Sequence, residues 1–333
     1  MHPNSNMHPN PDIAGRTHSA AARDLDRNLF ESKGSIMKCA GRAIAASLLC
    51  SAACGQQSSM QFQLTDNLIR VPVTLNGHET EAVLDSGTGA LALDRDFAVS
   101  LGLEPGAAMG MAPGGGKPMP MFPVTIAQVQ FGPEHLTQVA GTALDLSHLS
   151  SSAGFLVHVL LGMPLFEKQA LQIDYPGRRL VFLPAEQEAE CSDPIPISFV
   201  SGAPLVAVTL QATRKSAPVT LHLIVDLGTR HHAVMLGGPF LNTAEGEALQ
   251  SGSKPMRVGT GIGGAIDGST ARLESLTIGG HHFAGLTAAL THDVGAFAAG
   301  TADGTLGVPL WEDGIVTFDY AHRVLCLDLP KRT

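Results

Sequence analysis

The chain repeats itself, and the repeat limits what it can fold into. A strand-like apolar run ends in Asp-x-Gly-Thr twice, at Asp85-Ser86-Gly87-Thr88 and at Asp226-Leu227-Gly228-Thr229, with the acids 226 − 85 = 141 residues apart. Before the first acid, Val71, Val73 and Leu75 alternate up to Asn76-Gly77, a pair suited to a type I′ hairpin turn. Before the second, residues 204–210 and 219–225 repeat the plan around a longer loop. Each unit also closes alike. Leu161-Gly162 matches Leu306-Gly307, Pro164-Leu165 matches Pro309-Leu310, and Asp174-Tyr175 matches Asp319-Tyr320; the Gly and Asp-Tyr pairs are offset by 307 − 162 = 319 − 174 = 145 residues. One Asp-Gly turn after a strand is common, but two in register within a duplicated unit are a strong signal.

Between acid and closing motif each half carries a Gly-rich segment, with Gly114, Gly115 and Gly116 in the first and Gly261, Ile262, Gly263 and Gly264 in the second. Glycine there lets backbone approach a ligand closely. With 44% hydrophobic and 15% charged residues, 37 Gly and 21 Pro among 333 residues, the composition fits many short strands joined by turns. A net charge of −9, with no Lys/Arg run outside the N-terminal leader, excludes a nucleic-acid partner.

On these motifs the sequence resembles the pepsin/retropepsin superfamily of aspartic peptidases, in particular its bacterial retropepsin-like members, over residues 65–330. The resemblance implies an all-β, two-lobed acid-protease β-barrel fold arising from an internal duplication, with lobes at 61–190 and 191–333. It makes Asp85 and Asp226 the catalytic dyad, supported by Ser86, Gly87, Thr88, Leu227, Gly228 and Thr229, and the two Gly-rich segments substrate-binding flaps. The string Gly261–Gly264 is similar to a retropepsin flap tip. Each closing Leu-Gly element is expected behind an acid loop.

The implied activity is aspartic endopeptidase action on extended polypeptide, by a water activated between two carboxylates that share a proton. No cofactor and no metal are called for, and a monomer is expected. The second motif departs from the family pattern: Leu227 stands where the family carries Ser or Thr, whose hydroxyl braces the dyad. The alternative is therefore a catalytically weak or inactive peptide-binding envelope protein retaining the fold. The only tyrosines, Tyr175 and Tyr320, lie in the closing strands, so the first lobe lacks a pepsin-type flap tyrosine.

Residues 1–36 read as a disordered leader or upstream extension. Residues 37–54 read as an export signal, with Lys38 and Arg42 ahead of an uncharged stretch too short to span a membrane. The segment ends in a lipoprotein-like box with Cys54 as the lipidation candidate, although Ser51 replaces the usual Leu. The protein is thus expected in the periplasm or cell envelope, lipid-anchored to the membrane if Cys54 is modified. Of five cysteines, only Cys191 and Cys326 fall in the folded part, as a disulfide or as two free thiols.

Several other features have plainer readings. His231-His232 and His281-His282 are taken as unsuited to one metal ion, because neighbours on a strand face opposite ways. Asp174 and Asp319 read as hairpin caps. Arg230 reads as a surface ion pair, or as a partner for a substrate carboxylate.

Overall fold

The computed structural model describes residues 57–331 apart from 113, 185, 293, 295, 296, 298 and 299. The leader, the export signal and Cys54 lie outside the described residues.

The fold is all-β and two-lobed, and each half is built on the same plan. Asn76 and Gly77 adopt the left-handed conformations of a type I′ turn, with φ of 49° and 83°. That turn joins Leu68–Leu75 to His78–Leu84, and the second strand delivers Asp85. In the second half Ala203–Gln211 pairs with Val219–Val225 and delivers Asp226. The closing strand then inserts between the strand entering the acid loop and the strand leaving it. Val159–Leu161 runs parallel to the first and antiparallel to Leu91–Asp94. Gly304–Leu306 does the same between Val219–Val225 and Val234–Leu236.

The halves share a sheet in the order Ser58–Gln61, Arg179–Phe182, Leu171–Asp174, Ile315–Asp319, Val324–Asp328, Ile195–Val200. Its central pairing obeys a two-fold. Leu171 faces Phe318, and the 145-residue offset maps this pair onto Val316 and Ile173, which also face each other. The folded region starts slightly before the expected residue 61, because Ser58–Gln61 is needed to cover the free edge of Arg179–Phe182. Beneath the shared sheet Phe166, Trp311 and Phe318 are fully buried, each contributing roughly 1.5–3 kcal/mol through removal from water.

Of the two open readings of the cysteines the structure takes the bridge. Cys191 and Cys326, with Cα atoms 5.6 Å apart, tie the segment between the halves to Val324–Asp328.

Candidate active site

Each acid is set at the end of a buried strand and locked by the same bonds. The N–H of Asp85 donates to Leu161 O (2.9 Å), and that of Asp226 to Leu306 O (2.9 Å). Thr88 N–H donates back to Asp85 O (3.3 Å) and Thr229 N–H to Asp226 O (3.2 Å), closing each Gly turn. The Leu-Gly elements sit behind these loops as expected. A Cβ on Gly162 would lie 2.2 Å from Thr88 O and one on Gly307 would lie 2.4 Å from Thr229 O, so neither position admits a side chain.

The two loops meet face to face. A Cβ on Gly87 would lie 2.5 Å from Asp226 Oδ1, and one on Gly228 would lie 3.0 Å from both carboxylate oxygens of Asp85. Each carboxyl therefore rests on the opposite half's glycine, and the two acids are near enough to shift each other's ionisation. Both remain partly exposed. Burial holds the Asp85 carboxyl well above its ordinary value; the charge of Asp226 acts in the same direction, and the N–H groups of Gly87 and Thr88 oppose them.

The carboxyls are supported unequally. Asp85 Oδ1 accepts from Gly87 N–H (3.0 Å). Asp226 Oδ1 accepts from Gly228 N–H (2.8 Å), and its Oδ2 also accepts from the Thr229 hydroxyl (2.7 Å). The bracing between the halves is one-sided too. The fully buried Ser86 hydroxyl donates to Val225 O (2.7 Å) and accepts from Leu227 N–H (3.0 Å). Leu227 has no hydroxyl to return the bond, and its side chain is packed into the main core.

The two Gly-rich segments form hairpins whose tips touch. Gly110–Ala112 pairs with Met119–Phe131, and Lys254–Gly261 with Gly264–Arg272. Lys117 N–H donates to Gly263 O (3.1 Å) and Gly263 N–H to Gly115 O (3.0 Å). Gly114 lies against Ile262, and Ile262 packs on an apolar cluster of the first half that includes Ala112 and Leu146. The second hairpin is also tethered to the acid loop, since His232 Nε2 bonds Val258 O (2.9 Å). Burial, ahead of the neighbouring His231, keeps the His232 imidazole below its ordinary value despite that bond, and so favours the neutral ring.

Arg230 makes an ion pair, as one of the two readings had it, but one that joins the halves, with its own side chain only 10% exposed and that of its partner 44%. It donates to Asp66 Oδ2 (2.6 Å) and to Ser152 Oγ (2.5 Å), both in the other half. His231 Nε2 meets Asp66 Oδ1 (3.0 Å), and Asn67 Nδ2 bonds Arg230 O (3.1 Å). The result is a clasp between the halves beside the second acid loop. His231 and His232 lie in that loop rather than on a strand, and they reach apart to separate partners. His281 bonds Leu327 O, and His282 meets Thr277. Asp174 accepts from Gly177 N–H (2.8 Å) and Asp319 from His322 N–H (3.0 Å), each capping its own turn.

Sequence reasoning passed over two residues at the site. Thr305 Oγ1 lies 3.1 Å from Thr229 Oγ1 and is buried; aligning the halves would have exposed it, because Leu160 stands at the matching place. Tyr320 stacks on Phe166 with ring centroids 5.2 Å apart. Burial foremost, then the charges of Asp85 and Glu167, keeps its phenol far above the ordinary value and therefore neutral.

Residues 71–165 match a family model described as aspartyl protease. Among solved structures the chain is similar to a retropepsin-like aspartic protease from Rickettsia conorii, at 18% identity and a TM-score of 0.30, covering 38% of this chain and 91% of that one. No curated protein matches it. The family match lies on the segment that delivers Asp85, and the same acid loop is built again at Asp226.

Proposed function

We propose that the protein is an aspartic endopeptidase that hydrolyses extended polypeptide with Asp85 and Asp226 as its dyad. The observation carrying this reading is that each carboxyl sits on the other half's glycine, so the two acids face each other. Two carboxyls so close ionise one at a time, leaving one base and one acid. The ionised partner takes a proton from a water held between them, the resulting hydroxide attacks the scissile carbonyl carbon, and the protonated partner donates to the carbonyl oxygen as charge builds there. Proton transfer to the leaving nitrogen then breaks the C–N bond, with no covalent intermediate.

The hairpins at Gly114–Gly116 and Gly261–Gly264 act as flaps. Their tips are bonded to each other through main-chain groups, the same kind of group that an extended peptide offers. Entry of substrate requires them to part, and closure then shields the reaction from bulk water. The Cys191–Cys326 bridge fits an exported protein working in an oxidising envelope compartment.

The rival reading, a peptide-binding envelope protein with little chemistry, draws on Leu227. It loses ground because Ser86 alone already joins both backbone partners across the dyad. The test is digestion of an unstructured polypeptide from about pH 3 to about pH 7, comparing wild type with Asp85→Asn and Asp226→Asn. Each variant is expected to fold and to lose roughly 10²–10⁴-fold in rate, the usual worth of acid–base groups. Cleavage surviving either change overturns the proposal.

A further inference from the structure

We propose that Thr305 is a positioning residue which, through Thr229, fixes the negative charge of the resting dyad on Asp226 and the shared proton on Asp85. The inference rests on the protease reading above and goes beyond it by assigning base and acid.

The geometry is directional. With Asp226 ionised, the single hydrogen of the Thr229 hydroxyl is donated to its Oδ2 at 2.7 Å. At the 3.1 Å contact with Thr305, Thr229 can then only accept, so Thr305 must donate. The chain Thr305 to Thr229 to Asp226 runs one way and ends on a carboxylate oxygen. Each link polarises the next, which favours charge at that end. Thr305 is itself firmly held: its strand pairs on one side with Ile224, just before the acid loop, and on the other with Met235, just after it.

The first half has no such chain. At the matching place, 305 − 145 = 160, stands Leu160, which has no hydroxyl to donate. The donors to Asp85 are the backbone N–H groups of Gly87 and Thr88. Burial is the foremost influence on the Asp85 carboxyl, and it disfavours charge there. The other titratable groups at the second loop are His232, which bonds Val258 O, and the clasp of Arg230, His231 and Asp66, whose members pair with one another. The two halves thus support opposite protonation states. Asp226 becomes the base that takes the proton from water, and Asp85 the acid that donates to the carbonyl oxygen.

The test is the pH profile of kcat/KM for Thr305→Val, which keeps the shape and removes the hydroxyl, and for Thr305→Ser, which restores it. The acid limb, where the base becomes protonated, is expected to move up in Thr305→Val by about 0.4–1 pH unit, the worth of one hydrogen bond between neutral groups. Thr305→Ser should return it to the wild-type position. A purely structural Thr305 would lower the whole profile without moving its limb, and that result overturns the proposal. Should wild type cleave nothing at any pH, the protease reading fails by itself. Titration of ¹³C-labelled aspartate carboxyls then decides the assignment: a lower dyad step raised in Thr305→Val and normal in Thr305→Ser supports it, and an unmoved step refutes it.

Discussion

Removing the Ser86 hydroxyl should loosen the two halves at the point where the acids meet. Ser86→Ala leaves the Cβ in place, so the change is almost purely the loss of two bonds, to Val225 O (2.7 Å) and from Leu227 N–H (3.0 Å). Both backbone groups belong to the opposite half and face a side chain with no exposure to solvent. A buried backbone group left without a partner costs about 1–3 kcal/mol. The pair therefore amounts to about 2–6 kcal/mol, unless water enters to replace the hydroxyl. Leu227 cannot compensate, because it carries no polar atom on its side chain. At about 2–4 °C per kcal/mol for a chain of this order of size, the melting temperature should fall by at least about 4 °C and by up to about 24 °C. Amide exchange at Leu227 should accelerate in parallel, and Ser86→Thr, which keeps a hydroxyl, should recover much of the loss. A melting temperature within about 2 °C of wild type would show that this bracing contributes little.

Two further outcomes follow from the site. Because Asp85 holds its proton above the ordinary carboxyl value of 3.8, the folded state binds more protons than the unfolded one as pH rises past that value, and stability falls with rising pH across that window. Asp85→Asn removes this loss: its melting temperature should match wild type near about pH 3 and exceed it increasingly toward about pH 7, whereas a constant difference would contradict the shift. At the flap tips, a Cβ on Gly263 would lie 1.7 Å from Lys117 O. Gly263→Ala should therefore part the tips and speed amide exchange at Lys117 and Gly263 by more than about 10-fold, with little change in global melting; unchanged exchange would mean the tips are not held by those bonds.

The fold was legible because the signals agreed at every level. Asn76-Gly77, the alternating valines before Asp85 and the doubled Leu-Gly closures each specify local geometry, and together they require one architecture. The meeting of Asp85 and Asp226 was legible for the same reason, since a duplicated strand end places its two acids symmetrically. Long-range partners were not. Arg230 shows no mark of its bond to Asp66, 230 − 66 = 164 residues away, because an ion pair between halves depends on how two loops come together in space. Leu227 was visible as a departure, but only packing shows that it is a core residue; replacing it by Ser would cost about 2–5 kcal/mol of buried contacts against one regained hydrogen bond. The two Gly-rich hairpins were recognisable from their glycines, but not that their tips would bond each other.

The pairing of Leu171–Asp174 with Ile315–Asp319 is one that two copies of a single half could make with each other, since a 145-residue shift maps it onto itself. In a homodimer of that kind every residue appears twice, and any change beside one acid is imposed on the other. Joining the copies in one polypeptide lifts that constraint. Leu227 opposite Ser86, and Thr305 opposite Leu160, are substitutions that only a fused chain can carry singly. Covalent linkage thereby gave the two acids separate evolutionary histories.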